Sequence, residues 1–112
     1  MEESFVLDYI AHPEKLQDPE QTNEVISHLN AILDDLEQAE FDAELKVNLE
    51  WNRLRQKIDT TNAECDRAIK MSSEYAEYEK IKRTIAKFRR NRSTLKAKYD
   101  SLAYKQYGGR RF

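Results

Sequence analysis

The sequence predicts an all-α protein, an elongated helical hairpin or bundle with one long coiled-coil-like C-terminal helix. Three observations carry that prediction. Residues 20 to 107 contain no glycine and no proline, the two residues that most strongly interrupt helices. Apolar residues recur at three- and four-residue steps through most of that stretch. Finally, 39% of the chain is hydrophobic and 36% charged, low in apolar content for a spherical domain but ordinary for helices whose outer faces stay wet. At 112 residues the chain is expected to form a single domain.

The first expected helix is short, residues 4–11, with Ser4 as N-cap and Phe5, Leu7, Tyr9 and Ile10 as its apolar surface. It ends at His12-Pro13. Asp18-Pro19-Glu20-Gln21 is the clearest local signal: Asp18 caps, Pro19 suits the first helical position, and Gln21 stands where a capping box places Glu or Gln. An acidic amphipathic helix is therefore expected over 19–38, with the stripe Val25, Ile26, Leu29, Ile32, Leu33 and Leu36. Such a stripe is wide enough for two neighbours.

Residues 41 to 51 alternate apolar and polar as a strand would. Their composition favours a helix, and no second strand exists to pair with them. A long helix is expected over 43–105, with breaks near 59–62 or 72–73, where short polar residues cluster. Thr61 with Glu64, or Asn62, would cap a restarted helix. One seam can be followed through Trp51, Leu54, Ile58, Thr61, Cys65, Ala68, Met71, Tyr75, Tyr78, Ile81, Ile85, Phe88, Arg92, Leu95, Tyr99 and Leu102, a step of about 3.4 residues, close to the 3.5 of a left-handed supercoil. An unbroken helix of that length would span roughly 90 Å, against about 30 Å for residues 19–38. Much of the seam would then be bare. The expected cover is a second copy, most simply in an antiparallel homodimer, with Trp51, Leu54, Ile58, Tyr75, Tyr78, Ile81, Ile85, Phe88, Leu95, Tyr99 and Leu102 as the self-association or core seam.

Charge is segregated along the chain. Residues 1 to 50 carry fourteen Asp/Glu against two Lys/Arg, whereas residues 80 to 112 carry one acidic residue, Asp100, against twelve basic ones. Tyr78, Phe88, Tyr99, Tyr104 and Tyr107 are interleaved with those cations. The expected partner-binding surface is Lys82, Arg83, Lys87, Arg89, Arg90, Arg92, Lys96, Lys98, Arg110 and Arg111, the last two in a flexible basic tail over 108–112. Three readings follow: the cations pair with the acidic helix through residues such as Asp35, Glu40 and Asp42; they dock on an acidic surface of a protein partner; or they contact nucleic-acid phosphates. Contact with about eight phosphates would give duplex binding a salt slope near −7. Arg92, on the seam itself, needs a carboxylate or an opening to solvent.

Signals for catalysis are thin. His12 and His28 fall on different elements, Cys65 has no nearby histidine, and no metal-binding or phosphate-cradling motif is present. The carboxylates from Asp34 to Glu44 wind around a helix and lack the glycine of a calcium loop. The expectation is a chain without enzyme activity, cofactor, metal or small-molecule substrate. A single cysteine, with no apolar run near 18 residues and no leader or lipidation signal, points to the cytoplasm, of a host cell included, and away from membranes.

The build, a short amphipathic start, an Asp-Pro-capped helix and a long charged helix, resembles in style the small accessory proteins of tailed phages, scaffolding proteins and recombination mediators among them. No signature residue is shared, so no site follows from it. The expected function is that of a non-catalytic interaction protein, an adaptor, scaffold or inhibitor, that self-associates and docks its basic C-terminal third on an acidic partner. The alternative is a nucleic-acid-binding accessory factor for replication, recombination or packaging.

Overall fold

A computed structural model describes residues 2–57 and 59–107, and among these the chain is all-α. Helix α1 covers Glu3–Ala11, a 3₁₀ turn covers Pro13–Lys15, and α2, α3 and α4 cover Pro19–Arg55, Asn62–Lys70 and Ser73–Tyr107. Ile58, Arg110 and Arg111 lie outside the described residues, as does the 108–112 tail. The packing divides into two compact units, one made of residues 1–34 with 86–112 and the other of residues 35–85.

The largest correction concerns α2. The expected boundary between 38 and 43 does not exist, because α2 runs unbroken for 37 residues. Nothing in Gln38-Ala39-Glu40-Phe41 breaks a helix, and Ala39 and Ala43 carry the inner face onward as small residues, Ala43 being buried. At 1.5 Å per residue α2 is about 55 Å long, close to the roughly 52 Å of α4. The expected shortfall of cover for the C-terminal seam came from making the acidic helix too short.

The helix ends follow local chemistry. Asp18 caps α2, its Oδ1 accepting from the Glu20 backbone N–H at 3.0 Å, while the buried Thr22 hydroxyl donates to the Asp18 carbonyl at 2.9 Å. Gln21 does not complete a capping box toward Asp18; its Nε2 donates instead to the Tyr9 hydroxyl at 2.9 Å, tying α2 to α1. Ser4 lies inside α1, whose N-cap is Glu2.

Between α2 and α3 the chain turns at the expected polar cluster. Asp59 takes φ of 66°, a left-handed conformation that aspartate tolerates better than most residues. Thr61 then starts α3 with a full capping box: its Oγ1 accepts from the Glu64 N–H at 3.2 Å, and the Glu64 carboxylate accepts from the Thr61 N–H at 3.4 Å. Arg55 staples the turn, its Nε donating to Asn62 Oδ1 at 2.7 Å and its Nη1 to the Thr60 carbonyl at 3.0 Å. The second break falls at Met71-Ser72, where Ser72 Oγ accepts from the Tyr75 N–H at 3.2 Å and so caps α4. Thr61→Ala should cost about 1 kcal/mol, read as a lowered urea midpoint, with amide exchange rising first in α3.

Within the first unit the core is Val6, Ile10, Leu16, Val25, Ile26, Leu29, Leu33 and Leu95, all buried. The second unit has a thinner core of Ala43, Cys65, Ile69 and Ile85, with Trp51, Leu54, Tyr75, Tyr78 and Ile81 only half-buried. The expected seam fails in its middle. Thr61, Ala68 and Met71 are exposed; Cys65 is buried as the seam required, and Ile69 is buried in place of Ala68. Two turns reset the helical phase, so a nine-residue helix sets its own inner face at i, i+4.

Candidate partner-binding surfaces

The cations expected on the C-terminal third are mostly on the outside of α4. In the first unit Lys87, Arg89, Arg90 and Lys96 are exposed, whereas Arg92 and Lys98 are half-buried. In the second unit Lys82 and Arg83 are exposed. Their distribution follows from helix geometry. The inner face of α4 in the first unit is Phe88, Leu95, Tyr99 and Leu102, each buried or half-buried, and at 100° per residue Lys87, Arg89, Arg90 and Lys96 fall on its flanks and back. Tyr104, 72% exposed, lies on the same back face.

Lys82 pairs with Glu79 at 3.5 Å on its own helix and sits 5.1 Å from the Tyr78 ring centroid. The Glu79 carboxylate is the main cause that raises its pKa above the usual lysine value. Tyr78 in turn meets Tyr75 edge-on, with centroids 6.5 Å apart.

Arg92, expected to need a carboxylate or an opening to solvent, has the opening, being half-buried. Its Nη1 donates to Asn30 Oδ1 on α2 at 3.2 Å. A neutral amide suffices because the residue is half-buried, so the guanidinium keeps part of its hydration. The pair fixes α2 against α4 within the first unit.

Beside the exposed cations of the first unit lies a groove of 430 Å³ lined by Leu7, Ile10, Ala11, Lys87, Phe88 and Asn91. Its walls come from α1 and α4. Phe5 and Leu7 remain 57% and 43% exposed on α1, although they belong to the apolar face the sequence assigned to that helix. The groove therefore joins apolar walls to a cationic rim. Sequence reasoning placed these residues on two elements 80 positions apart in the chain and could not bring them together; an apolar α1 face wider than one neighbour needs was the available signal.

The seam residues proposed for self-association are largely used within the protomer. Ile85 and Leu95 are buried, and Trp51, Leu54, Tyr75, Tyr78, Ile81, Phe88, Tyr99 and Leu102 are half-buried. Trp51 Nε1 donates to Asp66 Oδ1 at 2.9 Å, holding α3 to α2. Among the described residues of the second unit the uncovered large apolar groups are Met71, 89% exposed, and a set on α2. Phe41, Leu45 and Leu49 are 63%, 50% and 60% exposed on the outer side of α2.

No group of three or more His, Cys, Asp or Glu among the described residues is arranged to hold a metal ion, and no helix among them is long and apolar enough to cross a membrane. Cys65 is a buried thiol. Comparison with known proteins finds no matching family model, curated protein or solved structure.

Proposed function

We propose that this chain is a non-catalytic interaction protein, an adaptor, scaffold or inhibitor, that docks an acidic amphipathic segment of a partner on the basic outer side of α4 and self-associates through a separate surface. The observation that carries the reading is the α1–α4 groove, whose walls Leu7, Ile10, Ala11 and Phe88 are apolar and whose rim holds Lys87 beside the exposed Arg90. An acidic helix with apolar anchors complements both features: its side chains remove Leu7 and Phe88 from water while its carboxylates meet the cations. A groove of this chemistry selects an amphipathic protein segment over a bare phosphate backbone, which has no apolar groups to bury.

The alternative, a nucleic-acid-binding accessory factor, draws on the same cations and on the exposed Tyr104 next to Lys105. The probe that tests the first reading is a labelled synthetic peptide carrying leucine at i, i+4 spacing among glutamates, followed by fluorescence anisotropy. The double variant Lys87→Glu, Arg90→Glu should weaken its binding by roughly a hundredfold, since each lost charge contact is worth on the order of tenfold. Both positions are exposed, so the helical circular dichroism should be unchanged. A variant that binds the peptide as well as the wild type would rule the groove out.

A further inference from the structure

The outer face of α2 in the second unit carries an apolar stripe that its own protomer leaves open. Phe41, Leu45 and Leu49 stand at i, i+4 and i+8, each half or more exposed, on the side of the helix opposite Ala43, Val47 and Leu54, which are buried or half-buried. The strict apolar–polar alternation of residues 41–51 has this origin: inside a helix, alternate apolar positions fall on opposite faces, one inward and one outward. Glu44 and Asn48 join Phe41 and Leu45 in lining a shallow surface groove on this face.

Charge along the stripe changes sign at its centre. Asp35 and Asp42 precede Leu45 on one flank and Lys46 and Arg53 follow it, all exposed. On the other flank Glu44 precedes Leu45 and Arg55 follows it. A surface that is acidic at one end and basic at the other is not complemented by a partner of uniform charge. It is complemented by itself, turned end over end. We infer that the Phe41/Leu45/Leu49 stripe is the surface on which a second copy of this chain docks, antiparallel, with Leu45 at the two-fold axis.

In that arrangement Leu45 meets Leu45 of the other copy, and Phe41 meets its Leu49. Antiparallel packing brings like flanks together, so Asp42 faces Lys46 of the second copy and Asp35 faces its Arg53. A parallel pairing would bring opposite flanks together and set Asp35 and Asp42 against the acidic Glu37 and Glu44 of the second copy. Asp42 also accepts from Gln38 Nε2 at 3.3 Å, and Arg53 is held by Glu50 within its own helix, its Nε at 2.9 Å from Glu50 Oε2. Asp42 and Lys46 thus form the closer and more available cross-pair. Three apolar residues per copy make an interface below about 1,200 Å² in total, which places the dimer among weak, concentration-dependent ones. The inference rests on the self-association half of the proposed function, moves it from the seam to this stripe, and is independent of the α1–α4 groove.

Sedimentation equilibrium of the full chain across a concentration series tests it. The wild type should move from the 13.3 kDa of one chain toward twice that mass. Leu45→Glu, which sets two carboxylates face to face on the axis, should remain at the mass of one chain throughout; its side chain is half exposed, so the helix has room for it. Asp42→Lys and Lys46→Asp should each weaken association about tenfold, and the double variant Asp42→Lys, Lys46→Asp should restore it. A wild type of single-chain mass at every concentration, a Leu45→Glu variant that still dimerises, or a double variant no stronger than either single one would overturn the inference. The same variants titrated with the acidic peptide should bind it like the wild type, which separates failure of this surface from failure of the groove.

Discussion

Replacing Leu95 by alanine should lower stability by about 2–5 kcal/mol, because the side chain is wholly enclosed and its removal leaves a cavity as well as losing transfer energy. Leu95 is 0% exposed, and Leu29 and Leu33 of the same unit are as deeply buried. Tyr104, nine residues on along the same helix, is 72% exposed, and Tyr104→Ala should change stability by no more than about 0.5 kcal/mol. Urea titration followed by circular dichroism gives both numbers. The contrast matters more than either value, because the bare amino-acid pattern gives two apolar or aromatic residues on one helix, and only the inner face of α4 distinguishes them. Equal effects would mean that α4 presents a different face to the core.

Placing a carboxylate at Cys65 should cost on the order of 3–5 kcal/mol where the helix stays docked, the penalty of an uncompensated buried charge. Helix α3 has nine residues, too few to persist alone in water. It is held by the buried Cys65 and Ile69, by the Thr61–Glu64 capping box, by the Trp51–Asp66 hydrogen bond and by the Arg55 staple. Removing the first of these holds should release the rest together. In Cys65→Asp, hydrogen exchange of the amides of residues 62–70 should therefore approach unprotected rates, while the amides around Leu29 in the first unit stay slow. Cys65→Ala, which keeps the site apolar, should retain most of the protection. Uniform loss across both units would show that they unfold as one.

Much of this architecture is legible in the residues themselves. The absence of glycine and proline gives helix throughout, Asp18 caps where an Asp-Pro pair should, and the two breaks fall where Asp59-Thr60-Thr61-Asn62 and Ser72-Ser73 offer side-chain hydroxyls and carboxylates to free N–H groups. The stripe Val25, Ile26, Leu29 and Leu33 is buried as its spacing required. What could not be read is instructive. The boundary expected between 38 and 43 is absent because nothing there ends a helix, and Ala39 and Ala43 continue the inner face. The phase of α3 was lost because a turn of six residues can restart a helix at any rotation. Arg92 was expected to need a carboxylate or an opening to solvent; the position is half-buried, and the hydrogen bond to Asn30, 62 residues away, could not be read from either helix alone. The groove at Phe88 and the open stripe at Leu45 both depend on which apolar face is left over after the core is built. That remainder is a property of the packed chain and not of any one segment.

The most direct test of the binding function is a competition between two kinds of ligand on the wild-type chain: anisotropy titrations of the acidic amphipathic peptide and of single- and double-stranded DNA and RNA, repeated between roughly 50 and 200 mM salt. Apolar burial in the α1–α4 groove is insensitive to salt, whereas phosphate contacts are not. The peptide should remain bound across the range, and any nucleic-acid binding should fall away steeply. Nucleic acid held more tightly than the peptide at the upper end of the range would contradict the account and give the basic face of α4 to phosphates.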